Sequence, residues 1–232
     1  MERSGSSTKD SQEEAFMIQK TNNIYSSSLL EQLPHVVHGF TTKQQGNMQN
    51  ELKRKEFFTS IGVAYNDVVL QEQVHGIAIH VVSPRDRGKT IPGVDGLVYQ
   101  KKEDAPIFLC VHVGDCVPLL FADPINKTIG IAHSGWRGTE KHIAKEMVKT
   151  FQTLGSSPDD IVIAFGPFIC RDCYSVDLWN AISIDLQEKM IQKNHIDYDK
   201  TLCTYEKKEL FYSWRRKDEP FGEIMGYIGY SA

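Results

Sequence analysis

Two histidines and a cysteine stand beside glycines at the ends of apolar runs. His75 closes Gln71-Glu72-Gln73-Val74-His75-Gly76, Cys116 sits in Gly114-Asp115-Cys116-Val117-Pro118, and His133 opens His133-Ser134-Gly135-Trp136-Arg137-Gly138-Thr139. Two imidazoles and a thiolate are three donors suited to zinc, and the fourth position they leave open is the mark of a catalytic rather than a structural ion. The donors lie far apart in sequence, so spacing alone leaves plainer readings in place: a hydrogen-bonded strand-end histidine, or a cysteine acting as a small core residue. Cys116 with a neighbouring histidine also fits the nucleophile and base of a cysteine hydrolase.

Other side chains complete the inventory. Asp115, next to Cys116, is the candidate for a proton-moving or ligand-orienting carboxylate. Arg137 lies in a glycine-flanked turn ahead of a predicted helix, where a guanidinium and backbone N–H groups suit phosphate; the alternative is an arginine that caps its own loop. Arg215 and Arg216 read equally as a solvated face or as substrate contacts. Cys170-Arg171-Asp172-Cys173 is a CxxC with no second CxxC to pair with, a weak basis for redox or metal chemistry. His80, Cys110 and His112 fall inside strand-like runs and read as packed residues.

These residues need a rigid frame, and the pattern supplies a strand-rich one. Apolar and β-branched runs predict strands over 36–42, 67–70, 77–82, 95–99, 107–113, 117–121, 128–133 and 161–165. Helical spacing covers 51–61, 139–154 (Ile143, Met147, Val148 and Phe151 on one face) and 176–192 (Leu178, Trp179, Ile182, Leu186 and Met190). Strands in a run followed by helices predict an α+β fold, a sheet-rich sandwich flanked by helices, rather than a regular βαβ alternation.

The chain has 232 residues, 41% hydrophobic and 24% charged, enough for one substantial core. We expect a polar disordered tail over residues 1–15 and a single catalytic domain over 16–232. A net charge of -4 argues against nucleic acid as a partner. The absence of a long apolar run or a secretory leader leads us to expect a cytoplasmic protein without membrane contact, in which the five cysteines stay reduced. A monomer is the expected state.

In their order, the three glycine-flanked elements resemble the YfiH-type family, once labelled multicopper polyphenol oxidases (laccase domain) and since assigned purine nucleoside activities. The likeness extends to His38-Gly39-Phe40-Thr41-Thr42, Gly166-Pro167-Phe168-Ile169, Cys173-Tyr174, Cys203-Thr204 and Phe211-Tyr212-Ser213-Trp214-Arg215-Arg216. It implies zinc on His75, Cys116 and His133, phosphorolysis of adenosine, inosine, guanosine and methylthioadenosine, and deamination of adenosine, with purine nucleosides and phosphate as partners. The chain departs from the family pattern at Lys43, where an Arg is usual, in a shortened loop after it, and at Glu223, where the family carries Arg. Lys43, Arg137 and Arg215 are the expected phosphate and substrate contacts. The older label suggests a copper-dependent polyphenol oxidoreductase instead, but eight histidines and one obvious mononuclear triple fit a multicopper centre poorly. The departures leave open a fold retained as a binding module without catalysis.

Overall fold

The structure is a computed structural model that describes residues 18–231. The tail expected over 1–15 lies outside the described residues. Seven strands form the first sheet: β1 (Ile18–Thr21), β2 (Ile24–Ser27), β3 (Val36–Phe40), β4 (Val68–Gln71), β6 (Thr90–Ile91), β8 (Ile107–Val113) and β13 (Ile224–Tyr230), in the order β1-β2-β3-β13-β8-β4-β6. The second sheet has six: β5 (Ile79–Val81), β7 (Gly96–Gln100), β9 (Val117–Asp123), β10 (Thr128–Ser134), β11 (Val162–Phe165) and β12 (Ile196–Asp197), in the order β12-β11-β9-β10-β7-β5. Both sheets are mixed. The β8–β13, β13–β3, β9–β10 and β9–β11 pairs are antiparallel, whereas β4–β8 and β5–β7 are parallel.

Side-chain alternation shows why the sheets stack. In β8, Ile107, Leu109, Val111 and Val113 meet Leu97, Leu120, Ile129 and Ile131 of the second sheet in one central core. The alternate residues Phe108 and Cys110 face outward, beneath Phe57 and Phe58 of the helix Glu51–Ser60. Likewise Val117, Leu119 and Phe121 of β9 turn away from the centre toward the helices Ile143–Thr153 and Leu178–Glu188. Each sheet is therefore apolar on both faces, which is why β8 and β9 read as continuous apolar runs rather than as alternating strands. The predicted α+β sandwich flanked by helices is the fold observed.

We name the helices α1 (Ser28–Glu31), α2 (Glu51–Ser60), α3 (Trp136–Glu140), α4 (Ile143–Thr153) and α5 (Leu178–Glu188). The helix predicted over 139–154 is two: His142 adopts φ 65° and ψ 44°, which breaks the backbone ladder between α3 and α4. Its Nδ1 pairs with Asp185 of α5 at 2.8 Å, a contact that holds the break in place. The helix predicted over 176–192 starts at an Asp177 cap, which accepts from the Asn180 N–H, and ends at Glu188. Met190 lies past that end, left-handed at φ 66° and 74% exposed, and does not belong to the core stripe.

Candidate metal centre

The chain crosses between the sheets at two of the three points where the motifs lie. It leaves β4 of the first sheet, passes through His75 and enters β5 of the second; it leaves β8, turns through Gly114, Asp115 and Cys116, and enters β9. His133 arrives on β10, beside β9 in register with Pro118. His75, Cys116 and His133 bring their ligand atoms within 4.8 Å of one another, with the imidazole rings edge to face at 4.7 Å between centroids.

One carboxylate organises this cluster. Asp95, fully buried just ahead of β7, accepts from the N–H groups of Val74 (3.2 Å), His75 (3.0 Å) and Gly76 (2.6 Å), and from His133 Nδ1 (2.8 Å). Wrapping three successive amides around one carboxylate puts His75 in the left-handed region at φ 59°, a conformation that costs a non-glycine residue about 1–3 kcal/mol. The bond to Asp95 makes Nδ1 of His133 the donor and leaves Nε2 to face Cys116. Burial would lower the acidity of Asp95, but His133 and the loop amides hold its carboxyl below the ordinary value.

The sulfur is prepared in the same way. Burial alone would push the Cys116 thiol up, but hydrogen bonds and charge from His133 and His75 bring it down to about 7. Burial likewise disfavours the His133 imidazolium, yet Asp95 and Cys116 raise it to about 9. Gly135 makes room above them: a methyl there would lie 2.9 Å from Cys116 Sγ and 3.0 Å from His75 Cδ2. Two imidazoles and an easily ionised thiol facing one point, with a backbone trimmed to glycine over them, fit a zinc ion.

The cluster opens into a cavity of about 670 Å³. Its wall includes Arg137, whose guanidinium lies 4.4 Å from the Trp136 ring centre, and Arg215, 5.2 Å from that of Tyr174. Trp136 and Trp214 are exposed at the mouth. Deeper, Gln71 is only 5% exposed, and among the described residues neither its amide N nor its amide O has a hydrogen-bond partner; Nε2 of His112 is likewise buried and unpaired among them. Burial drives His112 down to about 3, so that it meets the cavity as a neutral imidazole. Gln73 holds His112 by pairing with both its N–H and its C=O. Glu223 also faces the cavity, and burial raises its carboxyl toward the neutral form.

Asp115, Arg137 and Arg215 line the cavity, as the sequence suggested, but the carboxylate bonded to a histidine of the cluster is Asp95. Asp115 instead accepts from Thr204 Oγ1 (2.7 Å), Ser213 Oγ (3.1 Å) and the Arg215 N–H (2.8 Å), fastening the 213–215 loop to the Cys116 turn. Lys43 is not on the cavity wall: its ammonium is bound to Asp218 at 3.2 Å and to the Lys208 carbonyl at 2.8 Å, which removes it from the expected phosphate contacts. Arg216 separates from Arg215 in the same way, spending its donors on Asp218 and the carbonyls of Thr204, Tyr205 and Phe211. His112, expected to be packed, lines the cavity.

Comparison with known proteins identifies the family. The multi-copper polyphenol oxidoreductase laccase family matches residues 39–177 and 174–231. Purine nucleoside phosphorylase YlmD of Bacillus subtilis (strain 168) is 31% identical over 248 residues, 84% of this chain and 88% of that protein. Adenosine deaminase RL5, from an unknown prokaryotic organism, is 35% identical over 123 residues, 50% of this chain and 46% of that protein. The crystal structure of YlmD from Geobacillus stearothermophilus superposes with a TM-score of 0.84 at 27% identity, covering 94% of this chain and all (100%) of that one. With its three motifs, its two-sheet fold and a match running from residue 39 to residue 231, the chain belongs to the multi-copper polyphenol oxidoreductase laccase family, the YfiH-type group.

Proposed function

We propose that the protein is a zinc-dependent purine nucleoside enzyme that cleaves adenosine, inosine, guanosine and methylthioadenosine by phosphorolysis and deaminates adenosine. The observation that carries this reading is the meeting of His75, Cys116 and His133 at one wall of a cavity that also holds two arginines and unpaired amide and imidazole groups. The names of the relatives, a purine nucleoside phosphorylase and an adenosine deaminase, point to the same chemistry.

His75, Cys116 and His133 would hold the ion, which in such a donor set supplies Lewis acidity and activates water near neutral pH. The chain's own groups do the rest. Arg137 and Arg215 offer guanidinium forks to phosphate, each lying against an aromatic ring. Gln71 offers donor and acceptor together, and His112 a neutral nitrogen, a set that matches the hydrogen-bonding edge of a purine. Glu223, its carboxyl favoured toward the protonated form, is placed to give a proton to a leaving base or amine.

The same residues support a second reading: Cys116, His133 and Asp95 stand in the order of nucleophile, base and orienting acid. The discriminating experiment incubates the protein with adenosine or inosine and phosphate, with and without a zinc chelator, beside Cys116→Ala, and separates the products by chromatography. Free base or inosine formation that stops with chelator and is absent from the variant supports the zinc enzyme. Activity that survives chelation but not iodoacetamide makes Cys116 a nucleophile, and zinc binding without any product leaves a binding module. Gln71→Leu, which removes the unpaired amide, is expected to keep zinc and stability while lowering kcat/KM for nucleosides by about 10–100-fold.

A further inference from the structure

The CxxC at Cys170 and Cys173 has a partner that the cysteine count alone does not reveal. Cys203-Thr204-Tyr205-Glu206 repeats the same three-residue step with a carboxylate in the last place. The fold brings the two segments side by side: Phe168 and Cys203 form a parallel bridge, and the Thr204 N–H donates to the Phe168 carbonyl at 3.0 Å. As a result the three sulfurs of Cys170, Cys173 and Cys203 lie within 4.8 Å of one another, and Cys173 Sγ is 3.7 Å from Glu206 Oε1.

The local backbone has the form of a metal knuckle. Cys173 N–H closes a tight turn onto the Cys170 carbonyl at 3.2 Å, and the Cys170 N–H donates to Cys203 Sγ at 3.3 Å, a bond that stabilises negative charge on a ligating sulfur. All three are free thiols, and Cys170 and Cys173 are only partly covered, so an ion has a way in. Two x2-spaced pairs on adjacent segments offer three converging thiols and, in contact with one of them, the Glu206 carboxylate, together the donor count of a structural zinc.

We propose that Cys170, Cys173, Cys203 and Glu206 form a second, closed zinc site, separate from the cavity site. Its place in the fold gives it a task. Ile169 and Tyr174, flanking the knuckle, line the cavity, and Thr204, next to Cys203, donates to Asp115 beside Cys116. An ion here would clamp the 168–174 and 203–206 segments together and fix that wall of the cavity without touching substrate.

The test counts zinc in the full chain after dialysis against zinc-free buffer, in wild type, Cys116→Ala, Cys173→Ser and the double variant. Two ions per chain in wild type, one in each single variant and none in the double variant are expected. Because Cys116→Ala removes only the cavity site, the count in that background reports on the second site whatever becomes of the first. In it, cobalt substitution should give the strong near-ultraviolet charge-transfer band of several thiolates. Exposed Glu206 offers a variant that leaves the core untouched: Glu206→Ala in the Cys116→Ala background should lose zinc at least tenfold more readily while keeping a native circular dichroism spectrum. No zinc in Cys116→Ala, an unchanged count in Cys173→Ser, or a disulfide among the three cysteines in the protein purified without reductant would each overturn the proposal.

Discussion

At the scale of single residues, the chemistry of the cavity turns on Asp95. Four donors share its two oxygens, so one carboxylate sets both the backbone of His75 and the tautomer of His133. Asp95→Asn puts an amide NH₂ among N–H donors, and we expect zinc affinity, read by competition with a chromophoric chelator, to fall about 10–100-fold; a change under twofold would show that the histidines are held by other means. The acidities of the ligands set a pH dependence. His133 keeps its proton up to about 9 in the metal-free protein, and Cys116 keeps its own below about 7. Zinc binding at these residues would displace both protons below about 7, one between about 7 and about 9, and neither above. Apparent affinity should therefore rise with pH about a hundredfold per unit, then about tenfold per unit, then level off, with matching proton release in calorimetry. A flat profile from pH 6 to pH 9 would contradict this. The His75, Cys116 and His133 cluster and the cavity arginines were legible in the sequence because reactive types beside glycine are conspicuous. Asp95 was not: it is a single acid between Val94 and Gly96, and its role exists only once β7 and the His75 loop meet. Gln71 and His112 were hidden likewise, by apolar neighbours that made them look like core. Lys43 was misplaced because sequence shows its charge but not Asp218, which comes from the far end of the chain to neutralise it.

At the scale of elements, helix docking is what makes the two sheets apolar on both sides. Phe58 of α2 is fully buried and meets Phe57, Phe108 and Tyr227 edge to face, with ring centroids 5.4, 6.1 and 6.1 Å away. Phe58→Ala should cost about 3–5 kcal/mol in denaturant unfolding, with the slope of the transition unchanged. A loss below 1 kcal/mol would mean that α2 rides on the sheet rather than covers it. Every strand predicted from periodicity is present within a few residues, since long apolar runs with turn residues between them leave little choice. Shorter or glycine-bearing elements escaped: the strands β6 and β12, the one-turn helix α1, and β1, β2 and β13. β1 and β2 are four residues each, and β13 carries Gly226 and Gly229 among its aromatics. Those glycines weaken a strand pattern, yet packing demands them: a methyl on Gly229 would lie 2.4 Å from the Phe108 ring. The break at His142 was equally invisible, because a left-handed histidine in a helical pattern is justified only by Asp185 on another helix.

At the scale of the whole molecule, His75 and Cys116 lie where chain passes from one sheet to the other and His133 lies on the second sheet, so an ion held by all three would join the two halves of the sandwich. Free zinc held about 100-fold above the dissociation constant of the cavity site should add about 2.7 kcal/mol to stability, and Cys116→Ala should lack that increment. The added stability should appear as one calorimetric transition moving upward, by about 2–4 °C per kcal/mol for a domain of this size. Two transitions, only one of them responding to zinc, would show that the sheets unfold separately. The placing of β13 bears on how the first sheet holds together. It is the seam between β3 and β8, formed by Ile224–Tyr230, residues far along the chain from both neighbours. Without it, β3 and β8 would each present a bare apolar edge open to pairing with another chain. Removing β13 would therefore expose two edges at once, and a chain truncated before residue 224 would be an aggregating polypeptide rather than a slightly weakened one.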